Sequence, residues 1–242
     1  MRVVVLGGGI VGVTTAYQLA RDGHEVVLLE KREAVAEETS WGNAGMIAPG
    51  HSFVWSSPRA PMILLKSVFD PDQALRFKPS LDPRLWMWSL RFLAQCTAAR
   101  ARRNTLIKHR LCVYSQQVFR ETAAETGIAF DRVSRGILYF YATEEGLAGG
   151  VARMKILQDD GQEIEVADAR RVVEIDPSLA KRQSEIAGGV YCPSDETGDC
   201  SKFAKGLAAE AGRLGAELRT GVTVKRIVAE KGRVSGIETD RG

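Results

Sequence analysis

The sequence predicts an α/β fold built around a Rossmann-like βαβ unit, and three observations predict it. Residues 2–6 (Arg-Val-Val-Val-Leu) are a short β-branched run that reads as a fully buried strand. Gly7-Gly8-Gly9-Ile10-Val11-Gly12 follows and matches G-x-G-x-x-G. A second apolar run, residues 25–29, ends at an acid, Glu30, 18 residues after Gly12.

Each part of that unit has a mechanical reason. Gly7 permits the tight turn out of the strand, and Gly9 leaves the backbone open to a pyrophosphate. Gly12 lets the following helix, expected over 10–22, lie close to the sheet. Val11, Ala16, Leu19 and Ala20 offer it a packing face, and Gly23 closes it. The N–H groups and positive dipole end of the helix then face the phosphates. Glu30 can accept hydrogen bonds from ribose hydroxyls, and its charge repels a 2′-phosphate although Lys31 and Arg32 follow it. The alternative is a glycine-rich turn without a ligand, which leaves the acid at the strand end as coincidence.

Residues 38–50, Glu-Thr-Ser-Trp-Gly-Asn-Ala-Gly-Met-Ile-Ala-Pro-Gly, are small and polar. They read either as a solvated loop or as a segment running along a bound dinucleotide toward its reactive end. In the second case Thr39, Ser40 and Asn43 hydrogen-bond the ligand, and Gly42 and Gly45 allow close backbone approach.

Residues 51–80 hold Pro58, Pro61, Pro71 and Pro79 and read as irregular with short helical turns. A strongly apolar helix begins at Pro83. It carries Leu85, Trp86, Trp88, Leu90, Phe92 and Leu93 on most faces and is expected to be buried or at an interface. A second helix is expected over 104–126, ending at Gly127. The basic residues Arg100, Arg102, Arg103, Lys108 and Arg110 read either as a solvated helix face or as a contact with an anionic membrane surface. Residues 136–142 form an aromatic strand whose tyrosines belong to a core or line a substrate cavity. Thr143 caps a helix to about Asp160, residues 188–192 are another strand, and Asp199 caps a helix from Ser201 to about Leu214. Ala216–Arg219 is a short strand, and residues 222–239 read as a β-hairpin turning at Lys231-Gly232.

Several function classes are excluded or left without support. The formal net charge of +3 is no basic stripe, so no nucleic acid partner is expected. Cys96, Cys112, Cys192 and Cys200 form no Cys-x-x-Cys pair and read as reduced, cytoplasmic thiols. His24, His51 and His109 lack zinc spacing, and residues 195–200 echo a calcium loop without its glycine or bidentate acid. No metal site and no nucleophile elbow is expected. No run approaches the ~18 apolar residues of a membrane span, and no targeting segment is visible, so a soluble or peripherally attached protein is expected.

The fingerprint, the 38–50 loop and Pro193-Ser194-Asp195-Glu196-Thr197-Gly198-Asp199-Cys200 together resemble bacterial D-amino-acid dehydrogenases, within the wider D-amino-acid oxidase and glycine oxidase group of flavoproteins. The resemblance runs the length of the chain and includes Trp86-Met87-Trp88. It implies FAD rather than NAD, and a two-domain fold: an FAD-binding domain over 1–50 and 195–242, and a discontinuous, mixed-sheet substrate domain over 51–194. The FAD contacts it implies are Val5, Leu6, Gly7, Gly8, Gly9, Ile10, Val11, Gly12, Glu30, Lys31, Thr39, Ser40, Asn43, Ala44, Gly45 and Met46, with the backbone of Val224 at the adenine end. It implies oxidative deamination of D-amino acids, with electrons passed to a quinone-like respiratory acceptor, and it strengthens the reading of a peripheral inner-membrane contact. Because the family continues past the point where this chain stops, an N-terminal part is expected, and no catalytic residue is named. Oxidation of glycine, sarcosine or hydroxyproline stays open, as does a non-catalytic FAD-binding subunit that needs a partner chain.

Overall fold

The computed structural model describes residues 1–69, 78 and 80–242. In chain order its elements are β1 (Arg2–Leu6), α1 (Ile10–Arg21), β2 (Glu25–Leu29), β3 (Met46–Ile47), α2 (Ala60–Phe69), α3 (Pro83–Gln95), α4 (Ala98–Thr126), β4 (Ile137–Tyr141), α5 (Glu144–Gln158), β5 (Glu165–Asp168), α6 (Ala169–Ile175), β6 (Gly188–Cys192), β7 (Glu196–Thr197), α7 (Cys200–Arg213), β8 (Glu217–Arg219), β9 (Val224–Glu230) and β10 (Arg233–Thr239). The chain divides into two compact units. The first holds Met1–Ile47, Val118–Ser134 and Glu196–Gly242; the second holds Ala48–Gln117 and Arg135–Asp195. The segment Val118–Ser134, which the sequence reading placed with 51–194, thus belongs to the first unit.

In the first unit, β1, β2 and β8 form a parallel sheet in that order, with Val3 opposite Val26 and Leu28 opposite Leu218. Helices α1 and α7 cover one face. Val13, Ala16, Tyr17 and Ala20 of α1 meet Phe203, Leu207, Ala208 and Ala211 of α7 over Val26 and Leu28. Phe119, Phe130 and Phe203 close this core, with ring centroids 5.0–5.5 Å apart. The opposite face carries Val27 and Leu29 against Val222, Val224 and Ile237. Two expectations are corrected here. Among the described residues β1 pairs only with β2, and it is not buried throughout: its successive side chains, pointing to opposite faces of the sheet, alternate between exposed and half-buried. Val11 is 76% exposed; Ala16 and Ala20 are buried and Leu19 packs on the core as expected, and Val13 and Tyr17 complete the face in place of Val11. The hairpin β9–β10 turns at Lys231 and Gly232, both with positive φ, as a two-residue hairpin turn requires.

In the second unit, β4, β6 and β5 form an antiparallel sheet with β6 central. Thr143 caps α5 by accepting from Gly146 N at 3.1 Å. Met154 and Leu157 of α5 pack on Val190 and Cys192. A Cβ at Gly150 would lie 2.3 Å from the Tyr141 hydroxyl oxygen, so only glycine lets α5 pass that ring. α6 and β5 were not foreseen: residues 165–175 are too short and too charged for a periodic signal, and β6 recruits them. Residues 52–59 are irregular as expected, and a ten-residue helix, α2, follows where only short helical turns were expected, since Pro61 falls in the first helical turn, where its missing N–H costs nothing. The breaks read at Pro71 and Pro79 lie outside the described residues. α3 forms as expected, capped by Asp82, which accepts from Arg84 N at 2.9 Å. Its burial does not follow, for no residue of α3 is buried. His109, which carried no signal in the sequence, is buried between Asp160 (Nδ1 to Oδ2, 2.9 Å) and Gln162 (Nε2 to Oε1, 3.1 Å). Hydrogen bonds from Arg110 and His109 pull the Asp160 carboxyl down to about 2.

Candidate dinucleotide site

The turn between β1 and α1 restricts what can stand at Gly7, Gly8 and Gly12. Gly7 has φ +97°, a left-handed conformation open to glycine. A Cβ at Gly12 would stand 1.9 Å from the Gly7 carbonyl oxygen, so the first turn of α1 can fold onto the strand end only without a side chain. A Cβ at Gly8 would press on Val35 and Glu30 at 2.9 and 3.0 Å. At Gly9 the situation differs. A Cβ there would meet only Ser40 Oγ, at 3.3 Å, so the protein's own packing barely uses the bareness of Gly9. Its use is to leave the backbone open on the side of the helix start.

Gly9 is the N-cap of α1 and supplies no side-chain cap. The first intrahelical bond runs from Val13 N to Gly9 O at 2.9 Å, so the N–H groups of Val11 and Gly12 precede the helical ladder. Ile10 N donates to Ser40 Oγ at 2.9 Å. The second loop therefore reaches the helix start through Ser40, a meeting that the sequence left open. The partial positive charge of the helix end and the hydroxyl of Ser40 make a seat for an anion.

Glu30 is buried beside this seat. Its Oε2 accepts from Gly8 N at 2.6 Å and its Oε1 from Arg32 N at 2.7 Å. Each oxygen keeps a second acceptor site, enough for the two hydroxyls of a ribose. Lys31 and Arg32 both turn to Glu38, at 2.8 and 2.7 Å. Hydrogen bonds from Lys31 and then Arg32 hold the Glu38 carboxyl below its ordinary value. The two cations that follow the acid are thereby engaged by a carboxylate, which fits a ligand without a 2′-phosphate.

The loop itself is folded by Asn43. Its Nδ2 donates to the carbonyls of Thr39 and Ser40 at 3.1 and 3.2 Å, and its Oδ1 accepts from Gly45 N at 2.7 Å. Thr39, Ala44 and Met46 are exposed. Gly45 has φ +60°, and a Cβ on it would lie 2.2 Å from the Gly198 carbonyl oxygen. β3 pairs antiparallel with β7, Met46 opposite Thr197 and Ile47 opposite Glu196. Two of the three motifs that carried the resemblance, about 150 residues apart in the chain, are thus neighbours in the first unit. Val5 and Leu6 end β1 below the glycine turn, and Val224 begins β9, packed toward Val27, Leu29 and Val222. A concavity of about 1120 Å³ opens between Leu6, Leu29, Val222 and Ile237; it includes none of the fingerprint glycines and not Glu30, so it is a separate feature.

Glu196 is the residue of this unit that sequence reasoning missed. It is almost wholly buried and is held by Arg120 and by Arg132, whose Nε donates to Oε2 at 2.5 Å. Burial pushes its carboxyl up, but the hydrogen bonds from Arg132 and Arg120 outweigh this and hold it below its ordinary value. Asp199 caps α7 as expected, accepting from Lys202 N at 2.8 Å.

The family model described as FAD dependent oxidoreductase (DAO) matches residues 2–242, virtually the whole chain. The chain belongs to this family. FAD is therefore its cofactor, and the bare glycine turn, the helix start and the acid at the end of β2 fit the ADP half of that molecule. The chain is 41% identical to "D-amino acid dehydrogenase 2" of Mesorhizobium japonicum, over all of this chain and 58% of that protein. It is likewise 41% identical to a D-amino acid dehydrogenase of Methylobacterium nodulans, again over 58% of the relative. The chain thus spans somewhat over half the length of these curated relatives. Among solved structures, glycine oxidase from Bacillus cereus superposes with a TM-score of 0.63 at 23% identity, over 99% of this chain and 51% of the other. L-proline dehydrogenase from P. horikoshii gives 0.63 at 22%, over 99% and 49%. These two likenesses establish the fold.

Proposed function

We propose that the family member to which this chain contributes is a D-amino-acid dehydrogenase, converting D-amino acids to 2-keto acids and ammonia and passing electrons to a quinone-like respiratory acceptor, with a peripheral contact at the inner membrane. The observation that carries the reading is the 41% identity over the full chain to two proteins of that name. When bound, FAD supplies the hydride acceptor for the substrate Cα–H. On this proposal the residues of the chain have the following roles. Val5 and Leu6 set the strand end; Gly7, Gly8, Gly9 and Gly12 keep the turn bare; the N–H groups of Val11 and Gly12 face the pyrophosphate, and that of Ile10 holds Ser40 Oγ beside it. Glu30 accepts from the ribose, with Lys31 holding Glu38 beside it. The loop from Thr39 through Ser40, Asn43, Ala44 and Gly45 to Met46 lines the ligand toward the flavin end, and the backbone of Val224 meets the adenine. The substrate amine must be neutral when the hydride leaves, because a positive charge opposes imine formation. The imino acid then hydrolyses to the keto acid in water.

In a second reading this chain holds FAD without turning over substrate, and a partner chain completes the site. One experiment separates the two. The chain is purified with added FAD, its visible spectrum is recorded, and reduction of an artificial dye is followed with D-alanine, sarcosine and L-proline. A flavin band with dye reduction by D-alanine supports the dehydrogenase. A flavin band without turnover supports the binding chain. Reduction by sarcosine or L-proline but not D-alanine sinks the D-amino-acid assignment.

A further inference from the structure

We propose that His51, Lys108 and Arg153 form a carboxylate-binding site in the second unit, one that favours D-amino acids with an acidic side chain. The proposal deepens the reading above and rests on it for the class of ligand. The site itself is argued from the second unit alone.

Three elements of that unit, α4, α5 and β4, converge on residues 51–53. Lys108 of α4 donates through Nζ to the carbonyl of Phe53 at 3.1 Å. Arg153 of α5 lies over the Phe53 ring, its guanidinium carbon 5.2 Å from the centroid. Tyr139 of β4 stacks on His51, with ring centroids 5.8 Å apart and planes within 9° of parallel. The Tyr139 hydroxyl stands 3.3 Å from His51 Nδ1. His51, Lys108 and Arg153 are exposed, whereas Phe53 and Tyr139 are half-buried. Aromatic rings thus fix the places of an imidazole and a guanidinium, so less side-chain freedom is lost when a ligand binds. Ser52, between His51 and Phe53, is wholly buried, and its hydroxyl finds no hydrogen-bond partner among the described residues. An orphaned buried hydroxyl marks a place where the fold alone does not complete the hydrogen bonding.

The charge distribution selects the ligand. Other cations on the same helices are paired, Arg110 with Asp160 and Lys155 with Asp159. Lys108 and Arg153 form no ion pair among the described residues, and each contacts Phe53 instead. Partial burial, then Arg153, then Lys108 hold the His51 imidazole below its ordinary value. Near neutral pH it is therefore uncharged and keeps one N–H to donate. A neighbouring acid, Asp195, is buried and accepts from Gly50 N through Oδ1 at 3.1 Å. One buried negative charge is thus set against two exposed positive ones. A single carboxylate is satisfied by one guanidinium. Here a second cation stands at the backbone of the residue whose ring the first one covers. Two cations at two points of one residue suit a ligand with two carboxylates, as in D-glutamate or D-aspartate. In the chain His51 directly follows the 38–50 loop, which the proposed function runs toward the flavin end.

The test is calorimetric titration of the 242-residue chain, purified with added FAD, with D-glutamate, D-glutamine, glutarate and inorganic phosphate. D-Glutamine has nearly the shape of D-glutamate without the second charge. D-Glutamate and glutarate should bind at least ~10-fold more tightly than D-glutamine, since charge-assisted hydrogen bonds outweigh neutral ones. Arg153→Gln and Lys108→Gln should each weaken glutarate by about 10-fold. Lys155→Gln, on the helix of Arg153 but paired with Asp159, should leave glutarate binding unchanged. The thermal midpoints of the three variants should match the parent, because the side chains are exposed. D-Glutamate no tighter than D-glutamine, phosphate as tight as glutarate, or binding that survives both Arg153→Gln and Lys108→Gln would overturn the proposal. Glutarate is not oxidised, so the site is read without turnover. Dye reduction by D-alanine with no preference for D-glutamate also overturns this proposal and leaves the D-amino-acid reading standing. Reduction by sarcosine or L-proline alone sinks that reading, while the glutarate titration still decides whether the site exists.

Discussion

α1 and α3 are helices of nearly equal length, twelve and thirteen residues, and they meet opposite fates. α1 carries mostly small and medium apolar side chains and buries Val13, Ala16, Tyr17 and Ala20 against β2 and α7. α3 carries two tryptophans, a methionine, three leucines and a phenylalanine, yet buries nothing. Hydrophobic periodicity states which side of a helix would gain from leaving water. It does not state what stands on that side. α1 has a small-residue face, so sheet and neighbouring helix approach closely; α3 presents bulky side chains on most of its faces, and no single protein surface can cover them all.

The largest effect should come at the tightest point of the α1 region. Gly12→Val places a side chain against the Gly7 carbonyl and should cost about 3 kcal/mol or more by overpacking, read as a fall in the thermal midpoint. If the midpoint is unchanged, the close approach of α1 to its strand is wrong. Gly9→Val probes the same turn without that clash. It should weaken FAD binding by about 100-fold, roughly 2.7 kcal/mol, while the thermal midpoint without FAD stays near that of the parent. Unchanged flavin content in this variant would refute the placement of the pyrophosphate.

A pair of truncations then sets the two helices side by side. Val13→Ala should lose about 2 kcal/mol because the methyls leave a cavity in a closed core. Leu90→Ala should change stability by no more than ~0.5 kcal/mol because the side chain already meets solvent. Equal losses would mean that α3 is covered after all, and the comparison would collapse.

Glu196 offers a smaller, pH-dependent effect. Its folded carboxyl lies below the ordinary value, so it adds stability that is fully present above the ordinary carboxylate range and disappears as pH falls through the depressed value. Glu196→Gln should therefore cost about 1–3 kcal/mol near neutral pH, and flatten the acid limb of the stability curve. The loss is moderated because Arg120 and Arg132 are partly exposed and can be rehydrated. An acid limb identical to the parent's would show that the arginine pair does not hold this carboxylate in solution.

Much of the site was legible in the chain because it is local. Gly7 and Gly12 answer to a turn closed within six residues, and Glu30 follows at the end of the next strand. Thr143 and Asp199 announced helix starts, because capping is settled by the residue itself and the two or three that follow, whereas the cap at Asp82 went unread beside the signal of Pro83. The run Arg2–Leu6 was read correctly as a strand and incorrectly as fully buried, since its composition does not tell what covers its two faces. Ser40 was a candidate for the ligand, but its bond to Ile10 N depends on a loop folding back over thirty residues.

By itself the sequence determined the βαβ unit, its glycine turn, its acid and the helix caps, since these are short-range consequences of backbone freedom, side-chain periodicity and hydrogen-bonding reach. The tertiary structure alone decided that β1 is not buried throughout, that Glu196 sits between Arg120 and Arg132, that the 38–50 loop pairs with residues 196–197, and that α3 faces solvent. Those features arise between residues 64 to about 150 positions apart, or from what fails to arrive there, and no local pattern encodes the partner on the other side of a contact.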